Sequence, residues 1–361
     1  VITDWTNCKN ILVIRADNMG DLLMSQPAIR ALKETFGCRI TLLTSTMGNL
    51  IAPFVPEIDE TIVADLPWIK TNEPVDQNSI FSLLEKLRNY QFDAVVVFTV
   101  YSQNPLAAAM LAYMAGIPKR LAYCRENPYY LLSDWMIEKE PYSFIQHQVK
   151  RDLELVESVN AKTTDKHIKI IFSETAKKNA LKKLADSGVN LEKDWIVIHP
   201  GVSETKREYP QEKWIETGKL IRDEINFQII ITGAGSEKEI ADNIQKGIGE
   251  NSFSMAGVFS IEEFIALISM APLVISVNTG TVHIAAATQT PVIVLYALTN
   301  PQHTPWEVPS KVLFYSVTEN LRSKNEIVRF VTEQIMDKNV ELPNPFQILQ
   351  ETEKLLKMQE V

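Results

Sequence analysis

The chain has 361 residues, 45% apolar and 22% charged, with 36 basic against 45 acidic side chains and a formal charge of −9. That length implies two domains, each able to bury its own core. The acidic balance, present in both halves, excludes an extended nucleic-acid-binding face.

Read in chain order, strand-like and helix-like segments alternate almost throughout. Ile11–Arg15 is a short β-branched run, and a helical pattern follows to about Phe36, with Pro27 inside it predicting a kink or restart. Ile40–Leu43, Glu60–Ala64 and Ala94–Phe98 read as further strands, with a helix near Ile80–Tyr90. These runs are apolar without alternation, as in strands buried on both faces of a parallel sheet. Asn104–Pro118 is nearly uncharged, too short to span a bilayer, and reads as a buried helix. After a helix over Phe144–Val159 comes a polar, turn-rich stretch, Asn160–Lys166, where a domain boundary is expected.

The pattern then restarts. Helix Ser173–Ser187 precedes strand Trp195–His199, helix Gln211–Glu224 and strand Gln228–Thr232. Helices from Glu237 to about Lys246 and over Ile261–Met270, strand Leu273–Val277, a short helix from Thr281 and strand Pro291–Leu295 follow. Repeated βαβ units of this kind predict an α/β chain of two Rossmann-like domains with parallel sheets facing a central cleft. Residues 1–160 would form the first domain and 161–340 the second. The last stretch, 341–361, includes a helical segment that could pack back on the first domain. Residue identity shows no common fold between the halves.

Four strand-to-helix loops carry candidate chemistry. Gly20 and Asp21 follow the first strand, where ligands gather in open α/β sheets. A carboxylate there can take a proton from an acceptor hydroxyl. The same position suits a helix cap by Asp17 or Asp21. In the loop after Trp195–His199, Gly201, Ser203, Thr205, Lys206 and Arg207 offer amides, hydroxyls and cations to a diphosphate. Gly233 and Gly235 open the next loop, with Lys238 where a third glycine would complete a dinucleotide fingerprint. Glu237 in that loop can bind ribose hydroxyls or complement the helix dipole. After Leu273–Val277, Thr279, Gly280 and Thr281 stand at a helix N-terminus, with His283 one turn on. Two anion loops in one half fit one nucleotide diphosphate.

The three cysteines, Cys8, Cys38 and Cys124, lack any C-x-x-C spacing, which argues against a metal or disulfide framework and fits a reducing compartment. The five histidines show no metal-ligand spacing, and no Walker A, H-E-x-x-H or G-x-S-x-G pattern occurs. No metal and no cofactor is expected. The front of the chain shows no signal segment, so a cytoplasmic location is expected.

At these residues the chain resembles glycosyltransferase family 9, the bacterial heptosyltransferase-like enzymes of the GT-B fold. The matching stretches are IRADNMGDLLMSQPAIRAL, VIHPGVSETKREYPQEKW, IITGAGSEKE and VISVNTGTVHIAAATQTPVIVLYALTNP, spanning about residues 10–305. The resemblance implies a metal-independent, inverting transferase with Asp21 as general base. Arg207 takes the place of a diphosphate-binding lysine, with Lys206 as neighbouring candidate. Glu237 falls at a ribose-binding glutamate, and Thr279 and Gly280 supply phosphate contacts with His283 close behind. Asn278 stands where the best-known members carry aspartate, so heptose specificity does not follow from the motif.

The implied partners are a nucleotide-diphosphate sugar and a glycan or lipid-linked saccharide acceptor. Peripheral contact with the inner face of the cytoplasmic membrane stays open. Arg88, Lys119, Arg120, Arg125, Lys150 and Arg151 would form a basic surface for anionic acceptors, or be scattered surface charges. A GT-B nucleotide-sugar epimerase and a non-catalytic nucleotide-sugar-binding module are the alternatives. Oligomeric state is not legible.

Overall fold

The computed structural model describes residues 2–71, 74–202, 204–336 and 339–358. The chain divides into two compact units, Val1–Lys169 and Ile170–Val361.

In the first unit the elements run β1 (Asn10–Ile14), α1 (Met19–Phe36), β2 (Arg39–Thr44), α2 (Thr46–Asn49), β3 (Glu60–Val63), α3 (Gln77–Tyr90), β4 (Ala94–Val97), α4 (Leu106–Met114), β5 (Lys119–Cys124), β6 (Asp134–Ile137) and α5 (Gln148–Glu157). All strand pairs are parallel, in the order β3-β2-β1-β4-β5-β6. Ile11 pairs with Ile40 on one side and Ala94 on the other. The central strands are buried on both faces, which is why NILVI and AVVV carry no polar alternation. The core joins Leu12, Ile14, Val95 and Val97 from the sheet to Leu83, Leu84 and Leu87 of α3 and Ala108, Ala109, Leu111 and Ala112 of α4.

Two expectations change here. Helix α1 runs unbroken from Met19 to Phe36 with Pro27 inside it, so no restart occurs. Most of α1 is buried, and packing outweighs the lost hydrogen bond. Helix α4 is not fully buried, because Met110, Tyr113 and Met114 are 44%, 50% and 44% exposed. One face of this apolar helix meets the sheet and the other meets solvent.

The second unit runs α6 (Glu174–Asp186), β7 (Trp195–His199), α7 (Gln211–Ile225), β8 (Gln228–Ile231), α8 (Lys238–Ile248), β9 (Ser252–Ser254), α9 (Ile261–Met270), β10 (Val274–Val277), α10 (Gly280–Ala287), β11 (Val292–Ala297), β12 (Ser310–Tyr315), α11 (Glu326–Phe330) and α12 (Pro345–Lys357). The sheet order is β12-β11-β10-β7-β8-β9, again all parallel. Read from the opposite edge, this is the same winding as the first sheet. The common topology that residue identity did not reveal is therefore present. Each sheet has one switch point, between β1 and β4 and between β7 and β10, where consecutive crossovers leave in opposite directions.

The boundary falls after Lys169, nine residues later than the expected residue 160. Arg30 of α1 donates to the carbonyls of Asp165 and His167 at 3.0 and 2.8 Å. Gln26 exchanges hydrogen bonds with the backbone of Lys169, both at 2.6 Å. The segment is thus tied to α1, which supplies its backbone groups with partners. The last helix packs against α7 within its own unit, with Ile348, Leu349 and Leu355 in the second core. Its amphipathic stripe is satisfied there.

Candidate active site

In the first unit the chain leaves β1 through Arg15, Ala16 and Asp17 and enters α1 at Asn18. Thr44 and Ser45, at the end of β2, hold this loop by donating to the carbonyls of Arg15 and Asp17, both at 2.7 Å. Asp21 occupies the third helical position of α1. One carboxylate oxygen accepts the Asn18 amide and the other accepts Nη2 of Arg15, each at 3.1 Å. The capping role weighed from the sequence is thus realised, and with it an ion pair that sequence reading missed.

Arg15 is fully buried and also faces Asp17 at 3.4 Å. Behind it lies Asp152 of α5, which accepts Ser25 Oγ at 2.6 Å and Gln148 Nε2 at 2.8 Å. Burial pushes the Asp152 carboxyl up to about 6, against the pull of Arg15 and the Ser25 hydroxyl. Burial also raises Asp17, opposed by Arg15 and with Asp21 adding like-charge repulsion. A charged residue directly after an apolar strand, as in ILVIR, was the available signal for Arg15. Asp152 carried none, since only packing brings α5 against α1.

Of the six first-unit cations read as a basic surface or as scattered charges, several are turned inward or paired. Arg151 is buried between Glu138 and Glu140 at 2.5 and 2.8 Å and donates to the Thr99 carbonyl. Arg125 donates to the carbonyls of Tyr101 and Glu140. Arg88 pairs with Glu85, and Arg120 binds the carbonyls of Leu131 and Tyr130 while lying over the Tyr113 ring. Lys119 Nζ lies 3.4 Å from Cys8 Sγ.

In the second unit the predicted loops converge at the carboxyl ends of β7, β8 and β10. Arg207 Nη1 donates to the Asn278 carbonyl at 3.1 Å, joining the β7 and β10 loops across the switch point. The Tyr315 hydroxyl anchors the same loop through the Arg207 carbonyl at 2.8 Å. Glu204 holds both cations, Arg207 Nη2 at 3.1 Å and Lys206 Nζ at 3.3 Å. Among the described residues, Arg207 Nε and Asn278 Oδ1 are buried without a hydrogen-bond partner. The Arg207 guanidinium with the Lys206 ammonium beside it gives this loop the positive charge and N–H donors that suit an anion. Ser203 lies outside the described residues.

Glu237 closes the β8 side. Its carboxylate accepts the Ala234 amide at 2.6 Å and lies over Gly201, where a Cβ would stand 2.2 Å from the carboxyl carbon. Gly201 therefore serves close approach of the Glu237 carboxylate rather than backbone freedom. Burial raises the Glu237 carboxyl, opposed by the Ala234 amide. His199 sits beneath these loops, hydrogen-bonded to Thr232 at 3.0 Å and pushed down to about 4 by burial, so its imidazole is neutral.

The β10 loop differs in detail from the expectation. The Thr279 amide donates to the Val277 carbonyl at 2.8 Å, so it is already used. Gly280 and Thr281 open α10 and supply the first-turn amides. The Thr281 and His283 side chains are buried, at 4% and 5% exposure, and the His283 ring lies edge-on to His303 at 6.4 Å. Asn278 Nδ2 donates to Thr299 at 3.1 Å.

Two doubly wound parallel sheets, each with polar and charged groups at its switch point, define an α/β chain of the GT-B fold. Comparison with known proteins specifies the class. The model of glycosyltransferase family 9 (heptosyltransferase) matches residues 80–334, and the chain belongs to that family. It is 24% identical over 307 residues to lipooligosaccharide heptosyltransferase 2 of Haemophilus influenzae, covering 82% of this chain and 85% of that protein. It is 23% identical over 309 residues to lipopolysaccharide heptosyltransferase 2 of Escherichia coli, covering 82% and 84%. Among solved structures, a family 9 glycosyltransferase of Veillonella parvula superposes with TM-score 0.78 at 18% identity, covering 99% of each chain. The ADP-heptose lipopolysaccharide heptosyltransferase II of E. coli superposes with TM-score 0.72 at 21% identity, covering 98% and 100%. The chain is a glycosyltransferase. No helix among the described residues is long and apolar enough to cross a membrane.

Proposed function

We propose that this glycosyltransferase moves a heptose or closely related sugar from a nucleoside-diphosphate donor to a saccharide acceptor, with inversion and without a metal ion. The observation that carries the reading is the Arg207 guanidinium joined to the Asn278 carbonyl with its Nε left buried and unpartnered. It supports a diphosphate site at the switch point of the second sheet. Relatives named heptosyltransferases, one solved with ADP-2-deoxy-2-fluoro heptose, support the sugar and the nucleotide.

As the diphosphate leaves, negative charge grows on its oxygens. Arg207, Lys206 and the Gly280 and Thr281 amides stabilise that charge, the role a metal would otherwise fill. Glu237 binds the ribose hydroxyls, and Asn278 Oδ1 accepts from a donor hydroxyl. Asp21 takes the acceptor proton. Its two oxygens accept from Arg15 and Asn18, which hold the carboxylate in place at the start of α1. The acceptor is a glycan or lipid-linked saccharide, and the work is done on the cytoplasmic side, at or near the membrane surface.

The test is a thermal-shift panel of nucleoside diphosphates and their sugars, followed by transfer assays with the one that binds. Asp21→Asn should lower turnover about 10²- to 10⁴-fold, the usual size of general-base catalysis, while nucleotide affinity stays unchanged. Near-normal turnover in that variant removes Asp21 from the mechanism.

A further inference from the structure

At the switch point of the first sheet lies a cavity of about 440 Å³ between the ends of β1 and β4. Its walls include Asp17, Trp68, Ser102, Gln103, Asn104 and Leu106. Asp21 itself is not among the lining residues. Asp17 is presented to the cavity by two supports. Gln103 Nε2 donates to one carboxylate oxygen at 2.6 Å, and Arg15 faces the other at 3.4 Å from behind.

The lining of this cavity carries a single charged side chain. Among the described residues it contains one carboxylate and no Lys, Arg or His. The cations of the unit that might have reached an anion are held elsewhere, Arg151 by Glu138 and Glu140, Arg125 by backbone carbonyls. A carboxylate accepts hydrogen bonds only, Gln103 has one N–H left to donate because its Oε1 accepts the Val100 amide at 3.0 Å and its Nε2 donates to Asp17, and an indole face packs against sugar C–H groups. Together these match a hydroxyl-rich ring and oppose a second negative charge, which would lie beside Asp17, whose facing cation, Arg15, is fully buried behind it and shared with Asp21.

We propose that this cavity binds an uncharged sugar of the acceptor, with Asp17 and Gln103 as the pair that reads its hydroxyls, and that it rejects uronic, ulosonic or phosphorylated sugars. This rests on the acceptor role given above to the first unit, and deepens it by naming the substrate class. Asp17 is a positioning residue here, and Asp21 keeps the proton-transfer role.

The experiment is a saturation-transfer NMR titration of the full chain with methyl β-glucopyranoside and methyl β-glucopyranosiduronate, which differ in one carboxylate. The neutral glycoside should bind ~10-fold or more tightly than the uronate. Asp17→Asn should narrow that ratio to near one, an effect that loss of structure alone would not produce. Leu106→Trp, which fills the cavity and leaves Asp17 in place, should abolish glycoside binding while nucleotide binding is retained. Equal or tighter binding of the uronate, no binding of either glycoside, or unchanged binding in Leu106→Trp would overturn the proposal. The two readings fail separately. Binding in the cavity without transfer from any nucleotide sugar would remove the transferase mechanism and leave the site. Transfer to acidic sugars by a fully active Leu106→Trp chain would remove the site and leave the mechanism.

Discussion

Replacing Arg207 with alanine tests the donor site most directly. The guanidinium makes one bond to the Asn278 carbonyl at 3.1 Å and one ion pair to Glu204 at 3.1 Å, and its Nε is unpartnered. A charge-assisted hydrogen bond to phosphate contributes about 1.5–3 kcal/mol net. Arg207→Ala should therefore raise the dissociation constant for the preferred nucleoside diphosphate about 10- to 150-fold. The fold should lose little. The side chain is 27% exposed, and its one backbone bond is worth about 1 kcal/mol, a melting shift of about 2–4 °C. Glu204 sharpens the test, because it occupies both cations that the phosphates need. Glu204→Gln should tighten the nucleotide several-fold, with the gain largest at low ionic strength. Isothermal titration calorimetry at two salt concentrations measures both. If Arg207→Ala binds within about 3-fold of the parent chain, less than one such bond is worth, the diphosphate assignment is wrong.

Three further outcomes follow from the same geometry. Gly201→Ala places a methyl 2.2 Å from the Glu237 carboxyl group and must displace that flexible side chain. Nucleotide-sugar affinity should fall ~10-fold with little change in melting temperature, and unchanged affinity by calorimetry would separate Glu237 from the donor. Asp152 has its carboxyl raised from 3.8 to about 6 by burial, so the folded chain holds this proton more tightly than the unfolded chain. The resulting advantage is complete below the unfolded value of 3.8 and is lost as pH rises through about 6. Asp152→Asn mimics the protonated form and keeps it, so by urea unfolding the variant should be ~2–3 kcal/mol more stable than the parent at pH 8 and equal near pH 4. Ser25 can accommodate the amide by donating to the Asp21 carbonyl, 3.1 Å away, and accepting from the new NH₂. A variant less stable than the parent at pH 8 refutes that account. In Tyr315→Phe the anchor on the Arg207 carbonyl, now at 2.8 Å, is lost, and donor affinity should weaken about 3- to 10-fold without loss of the preferred nucleotide.

Local pattern was enough to establish the class of fold and to single out the loops proposed to hold the donor. Runs such as ILVIR, AVVVF and PVIVL are apolar without alternation because parallel strands are covered on both faces, and that constraint is visible residue by residue. The loops after β7, β8 and β10 were legible for the same reason: glycines, cations and helix starts lie next to the strands that precede them. Shorter or more polar strands escaped notice. Strand β5 (KRLAYC) begins with two charges, β6 (DWMI) and β9 (SFS) are brief, and β12 (SKVLFY) has an exposed start. Their strand character comes from pairing with a neighbour, which no local window contains.

Contacts between distant segments were decided by tertiary structure alone. Asp152 accepts from Ser25, 127 residues earlier, only because α5 packs on α1. Arg151 looked like a surface charge and is instead buried between two carboxylates. Sequence spacing reports which chemical groups a chain owns and which face of a helix or strand they share. Whether a charge meets solvent, a partner or a ligand depends on groups a hundred residues away, and only the packed structure brings those within range.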